Sequence, residues 1–493
     1  MRLEELVREA AARTPDKLAV CAHDGTLSYG TLDRRADQLA HQLRDMGVTA
    51  NDRVAFWLDK GCAGVVTTQA ALRLGAAYVP VDPMSPPDRA GRILVDCDVS
   101  ALITTRARLT ALVAEGLVLP PVLLVDESWH ALDSQDPSAV FPATRDPDAL
   151  AYILYTSGST GSPKGVCISH RNALAFVEWA VDTLEASPQD RFANHAPFHF
   201  DLSVLDLYGA FWAGASVHLI PEAMAYFPAR LLEYVKSERI TLWYSVPSVL
   251  ILMIERAGMI EVELPDLRSI CFAGEPFPIK YVRRIRDRWP ELRLLNLYGP
   301  TETNVCTFHE VFEVDPERTG PPPIGRICSD NDGWVLREDG QRAGVGEEGE
   351  LIIDGPTVML GYWGGKPQTG PYATGDIVRV LEDGSYDLIG RRDHMVKVRG
   401  HRIEPGEIES ALQSHPSIRD VAVVVQGHGM QAQLVAHIVP TEPGKPPRLL
   451  ALKRHSSERL PRYMIPHRCV IHRELPRTSS GKTDRVNLTH IPA

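Results

Sequence analysis

The sequence predicts an α/β protein with a large N-terminal multi-sheet body and a small α+β C-terminal domain. Three observations carry this. The length of 493 residues exceeds what one ordinary core organises. Short apolar runs alternate with helical stretches up to about residue 390, the pattern of an α/β sheet. The charge reverses near the C-terminus: from His394 on, fifteen Lys and Arg face eight Asp and Glu, a balance of +7, which leaves 37 against 55, or −18, before it. A basic segment can engage nucleotide phosphates, a nucleic acid or an acidic partner, or can be a solvated face.

The N-terminal "MRLEELVREAAARTPDKLAV" is expected to form an amphipathic acidic helix with Leu3, Leu6, Val7 and Ala10 on one stripe. It lacks the basic start and apolar centre of a signal peptide, and no apolar run reaches membrane-spanning length. The eight cysteines form no C-x-x-C pair, which argues against a zinc site or a disulfide framework and for a reduced, cytoplasmic protein. "LAYILYT", "ASVHLIP", "LWYSVP", "LRSICFAG" and "LRLLNLYG" read as buried strands, with helices such as "PARLLEYVKSERI" between them. Ligands of such sheets bind beyond the carboxyl ends of the strands, where the loops from Thr156, Gly274 and Gly299 are expected. A turn, a short strand, a basic stretch and a Pro-Gly break place a boundary at Arg391 to Asp393, giving domains 1–392 and 393–493. The remainder, with the runs "DVAVVVQ" and "QLVAHIV", a Pro/Gly-rich linker and a basic helix, has the size of a small domain.

The loop "LAYILYTSGSTGSPKGV", residues 150 to 166, holds five serine and threonine hydroxyls, three glycines and Lys164. Glycines let backbone N–H groups approach a ligand, hydroxyls add donors and the lysine adds charge, a combination suited to phosphate and hence to ATP. It is not a Walker A loop, because Lys164 lies between Pro163 and Gly165. On this loop alone, a flexible surface segment remains the alternative.

The stretch "YTSGSTGSPKG" resembles the signature loop of the adenylate-forming superfamily, which holds the adenylation domains of nonribosomal peptide synthetases, acyl- and aryl-CoA ligases and luciferases. Further matches follow in order: "LSYGTL", "LRLGAAYVPVD", "FDLS", "NLYGPTE", "GELIIDGPTVMLGYW", "YATGD", "GRRDHMVKVRGHRIEPGEIE", "LPRYMIP" and "SGKTDR". The resemblance spans nearly the whole chain. It implies a nucleotide site built from Thr156, Ser157, Gly158, Ser159, Thr160 and Lys164 of the loop, with Gly274, Gly299, Thr301 and Arg391. Tyr298 would stack on adenine, Asn296 would read the adenine edge, and Asp376 would hold the ribose hydroxyls as a bidentate acceptor. Glu302 would be the Mg²⁺ ligand, a hard oxygen for a hard cation. Lys482 would bridge the substrate carboxylate and the α-phosphate, stabilising charge in the transition state. The implied reaction activates a carboxylate as an acyl adenylate and then transfers it to a thiol. The small domain is expected to be mobile, turning about Asp393 so that Lys482 faces the site in the first half and the strand around Lys397 in the second.

Asp201 matches the residue that holds the α-ammonium in amino-acid-activating members; the alternative is a helix cap for "DLSVLDLYGAF". Motif spacing assigns the rest of the acid pocket to Leu202, Leu205, Tyr244, Cys271, Ala273, Leu297, Val305 and Cys306. No second charge lines it, so a compact apolar side chain is expected. The series is similar to that of proline-activating domains, above all the free-standing L-prolyl-carrier-protein ligases of pyrrole-type pathways. Cys271 stands where leucine is expected, which admits L-proline or a close amino acid analogue.

The segment "WGGKPQTGPY" is shorter than in most peptide-synthetase domains, and the chain stops soon after "SGKTDR". The expected partner is therefore a separate, acidic peptidyl carrier protein bearing a phosphopantetheine arm, met in trans. His195 and His199 lie beside the pocket, where they touch the acyl group or gate the thiol's path; a satisfied core histidine is the leading reading for His199. A CoA ligase is the close alternative, disfavoured by Asp201. A silent adenylate-binding regulator would lack Lys482, Glu302 or Asp376, and all three are present. Nucleic-acid binding is not expected, since residues 454 to 485 lack interleaved aromatics, and neither is a membrane partner.

Overall fold

A computed structural model describes the chain except for residues 126–145, 159–161, 393–394, 428–430, 443, 478–482 and 492–493. Six parallel strands form the middle of a nine-stranded sheet, in the order Arg293–Tyr298, Ser269–Phe272, Leu242–Ser245, Arg191–Asn194, Ser216–Leu219 and Leu18–Ala22. Leu294 to Tyr298 are buried without alternation, as expected of a parallel strand covered on both faces. In a second, seven-stranded sheet, Leu150–Thr156 pairs with antiparallel Lys164–Ser169 on one side and parallel Ala77–Pro80 on the other. A single core cluster joins side chains of both sheets, including the stacked pair Tyr78 and Tyr152. A four-stranded antiparallel sheet between Asp332 and Arg391, which the sequence reading did not separate, completes the large body.

All five apolar runs read as strands are strands. The N-terminal helix spans Leu3–Arg13, with Leu3, Leu6, Val7 and Ala10 no more than 3 % exposed. After Asp201 the helix expected from "DLSVLDLYGAF" forms, but its middle, Leu205–Gly209, widens into a π-helical turn. Such turns occur often at functional sites.

The small domain begins with a hairpin of Val396–Val398 and His401–Ile403, followed by the helix Pro405–Gln413. Its three-stranded sheet consists of Ile418–Gln426, Gln433–Pro440 and Arg468–Ile471, flanked by the helices Leu449–Ser457 and Arg485–His490. It has its own core around Ile403, Ile408, Leu412 and Leu434. The apolar runs "DVAVVVQ" and "QLVAHIV" form the first two strands of this sheet. All eight cysteines are free, and among the described residues no helix is long and apolar enough to cross a membrane. Cys21, His218 and Glu238 meet where two strands adjoin a helix end. Cys21 Sγ and His218 Nδ1 lie 3.7 and 3.2 Å from Glu238 Oε2, and His218 Nε2 lies 3.1 Å from Ser216 Oγ, a set closed by hydrogen bonds.

Candidate active site

The expected loops converge. The strands Leu150–Thr156, Ser269–Phe272 and Arg293–Tyr298 end side by side with Leu242–Ser245 at one cavity, lined by Thr156, Ser157, Gly274 and Gly299 from their loops. Two of these glycines are dictated by geometry. Gly274 has φ +89°, and a Cβ on Gly299 would overlap the Asn304 carbonyl oxygen. The small domain closes the cavity with its hairpin, which brings in Lys397, Gly400 and Arg402.

At the head of the cavity Asp201 Oδ2 accepts a hydrogen bond of 2.8 Å from Thr301 Oγ1. Its carboxylate makes no capping bond to the helix behind it, which sets aside the cap alternative. Burial pushes the Asp201 carboxyl above the usual range, against the Thr301 bond and the charges of Lys397 and Arg402. Burial pulls the Lys397 ammonium down, while Asp376 and Asp201 hold it up. Opposite charges thus face one another across a space shielded from water.

Below Asp201 the wall is apolar. Leu202, Tyr244, Ala273 and Val305 line the cavity. Leu297 lines the adjoining cleft instead. Leu205 and Cys271 lie behind this wall in the same core cluster, Leu205 opening the π-helical turn and Cys271 pairing in register with Tyr244. Cys306 lies deeper than the wall as well. It is fully buried in the cluster beneath Tyr298, with its Sγ 3.6 Å from the Tyr298 carbonyl oxygen. Val305 and Cys306, just before the strand Thr307–Glu310, are thus divided between the pocket and the layer behind it.

The adjoining cleft shares Gly274, Asp376, Arg391 and Lys397 with the cavity and adds Asn296 and Tyr298. Asp376 is held from both sides: the Tyr298 hydroxyl donates to Oδ2, and Arg391 Nη1 lies 2.9 Å from Oδ1. Asn296 donates its amide to Pro323 O at 2.7 Å. On the glycine-rich loop, Ser157 Oγ donates to Arg402 O at 2.9 Å and accepts from Glu404 N at 3.0 Å, so the small domain grips a residue assigned to phosphate. Lys164 lies with its ammonium 5.4 Å from the Tyr362 ring centre. A Cβ on Gly158 would overlap the Ser162 carbonyl. Ser159, Thr160, Asp393 and Lys482 lie outside the described residues.

Glu302 is inaccessible to solvent and saturated. Tyr362 Oη donates to Oε1 and Arg402 Nη1 to Oε2, both at 2.7 Å. Burial alone would raise this carboxyl, but the Arg402 guanidinium and the two hydrogen bonds override it and hold it below the usual range. Arg402 has no role legible in the motif "GRRDHMVKVRGHRIEPGEIE", because only the folded hairpin brings it to Glu302.

Other contacts across the interface were also invisible in the sequence. Arg89 forms a buried ion pair with Glu407, and Tyr463 Oη donates to Asp82 Oδ2 at 3.2 Å. His401 stacks on Tyr463 with ring centres 3.7 Å apart. His199 lines the cavity with neither ring nitrogen hydrogen-bonded among the described residues, which corrects its reading as a satisfied core histidine. Its Nε2 is 3.8 Å from Asp82, and burial keeps the ring neutral by lowering its pKa. His195 is depressed to about 3, first by burial and then by Lys60. It lines a second, mostly apolar tunnel between the domains, which meets the cavity at Phe200, Leu202, Val246, Gly400 and Tyr463. Arg399, Arg462 and His467 also line that tunnel.

The AMP-binding enzyme family matches residues 7–363, and the AMP-binding enzyme C-terminal domain matches residues 407–482. The chain is 47 % identical over 492 residues to an L-proline–[L-prolyl-carrier protein] ligase of Pseudomonas fluorescens, spanning 99 % of this chain and 98 % of that one. It is 38 % identical to a protein of the same name from Streptomyces coelicolor, over 97 % and 94 % of the two chains. The structure of an o-succinylbenzoate CoA synthetase variant from Bacillus subtilis shares the fold, with a TM-score of 0.88 over 99 % of this chain and 98 % of its own at 23 % identity.

Proposed function

The chain belongs to the AMP-binding enzyme family, and from that premise we propose that it activates L-proline with ATP as prolyl-AMP and passes the prolyl group to the phosphopantetheine thiol of a separate carrier protein. The observation that carries this reading is Asp201, a carboxylate held by Thr301 at one end of the cavity, above the apolar wall of Leu202, Tyr244, Ala273 and Val305. Burial disfavours this carboxylate despite the positive charges of Lys397 and Arg402, and the ammonium of an amino acid gives it a direct charge partner. The apolar wall below it suits the methylenes of a pyrrolidine ring. The two prolyl ligases, similar over almost their whole length, support the same substrate.

In the first half-reaction an oxygen of the proline carboxylate attacks the α-phosphorus of ATP, and pyrophosphate leaves. We assign the adenine to the cleft beside Tyr298 and Asn296, the ribose to Asp376, and the phosphates to the loop from Thr156 to Lys164 with Thr301 and Arg391. Glu302 fits a divalent cation, because its buried charge is already matched by a full positive charge, the Arg402 guanidinium. Mg²⁺ there would supply neutralisation of the phosphate charge. Arg402 of the hairpin occupies Glu302 Oε2 in the arrangement seen here, and we assign that arrangement to the second half-reaction. Lys482 acts in the first half, with the hinge at Asp393 and the domain boundary at 392/393, between the two family matches.

In the second half-reaction the pantetheine thiol attacks the prolyl carbonyl and AMP leaves. The tunnel between Phe200, Val246 and Tyr463 is the route we assign to the arm, and Arg399, Arg462 and His467 along it favour an acidic carrier. Lys397, facing Asp201 and Asp376, supplies positive charge near the departing AMP. The eight free thiols support action in the reducing cytoplasm. The test is incubation with ATP, L-proline and pantetheine. Prolyl-pantetheine forming together with AMP is expected; AMP without thioester would refute the transfer half.

Gly400 sharpens this division of labour. It has φ +82°, and a Cβ there would lie 2.7 to 3.2 Å from three side-chain atoms of Val246. Gly400→Ala is expected to slow transfer about thirtyfold, by strain plus overpacking, while pyrophosphate exchange changes little. Single-turnover transfer and exchange, measured side by side, check it.

A further inference from the structure

We infer that Glu275 is a positioning residue for the transfer half-reaction, the anchor that seats the Lys397 hairpin in the active site; this rests on the function proposed above. Glu275 follows the strand Ser269–Phe272 directly after Gly274. Its Oε2 accepts from Ser248 N at 3.0 Å, in the first turn of the helix Pro247–Ala257, and its Oε1 accepts from Gly400 N at the tip of the hairpin. One carboxylate therefore ties a fixed helix start in the large body to a turn of the small one.

The hairpin needs this partner. Arg399 and Gly400 have φ +51° and +82°, consecutive left-handed residues between the paired Val398 and His401, as in a two-residue type I′ turn. In such a turn the N–H of the second central residue takes no part in the hairpin's own bonds. Val246 packs against Gly400, so the amide is shielded on that side, and a buried N–H without an acceptor is costly. Glu275 supplies the acceptor, and Lys397 sits three residues before the bonded amide on the same hairpin. When the hairpin withdraws, Glu275 keeps Ser248 N and regains water. It borders the cleft assigned to adenine, where glutamine keeps its size and the one acceptor Ser248 N needs, so the first half-reaction tolerates that exchange. A glutamine cannot replace it as the anchor of the hairpin. With one acceptor oxygen and one NH₂ group it serves Ser248 N or Gly400 N, and turns a donor toward the other.

The test uses the full chain with ATP, L-proline and pantetheine. For Glu275→Gln, amino-acid-dependent ATP–pyrophosphate exchange is expected to stay within about twofold of the wild type, with an unchanged melting temperature. Single-turnover transfer to pantetheine is expected to fall about tenfold or more, the effect of losing a hydrogen bond to a charged acceptor in one state only. Equal losses in both half-reactions, or undiminished transfer, would overturn the role of Glu275 and leave the proposed function standing. A wild-type chain that exchanges pyrophosphate but forms no thioester would overturn both.

Discussion

Asp201→Asn is expected to raise the KM for L-proline in pyrophosphate exchange by about two to three orders of magnitude, with a much smaller change in the KM for ATP. The substitution keeps the shape of the side chain and an oxygen to accept the 2.8 Å bond from Thr301, so the local fold survives. What is lost is the charge opposite the ammonium, and breaking a shielded ion pair by removing one member costs about 3 to 5 kcal/mol. The pH dependence follows from the same group. Burial raises the Asp201 carboxyl, so on acidification it takes up a proton above pH 3.8, the ordinary value for Asp, and the L-proline KM rises as pH falls through that raised value. The variant, which has no carboxylate to titrate at this position, is expected to lose that limb of the profile. An unchanged KM in Asp201→Asn would mean that the ammonium binds elsewhere.

Lys482→Ala is expected to reduce adenylate formation about a thousandfold, the loss that follows removal of an electrostatic contact made in the transition state. ATP binding is expected to change little, because the loop from Thr156 to Lys164 and the Asp376 cleft remain. Prolyl-AMP supplied to the variant is still expected to pass to pantetheine, since Lys397 and Arg402 fill the active site in the arrangement seen here. Rapid-quench measurement of each half-reaction checks both statements. Undiminished adenylate formation would remove Lys482 from its assigned role.

What was legible in the sequence is what local chemistry dictates. Apolar runs without alternation marked the central strands. The glycine-rich loop and the segments beginning at Gly274 and Gly299 were expected at strand ends, and they meet at one cavity. Asp201 was legible through the resemblance of its motif, "FDLS", to the place where amino-acid-activating members of the superfamily hold the α-ammonium. The rest depends on contacts between distant segments, which no local pattern encodes. Arg402 reaches Glu302 across 100 residues, and Glu275 reaches Gly400 across 125. The burial of Cys306 in the cluster beneath Tyr298 and the π-helical turn that begins at Leu205 are tertiary features that spacing in the chain does not encode. His199 read as a satisfied core residue because burial was legible and the lack of hydrogen-bond partners was not.

The most direct measurement is amino-acid-dependent ATP–pyrophosphate exchange across the common amino acids and several aryl acids. Exchange dominated by L-proline, and lost in Asp201→Asn, is the result predicted. Exchange driven by an aryl or aliphatic acid lacking an ammonium group, and indifferent to Asp201, would contradict the account.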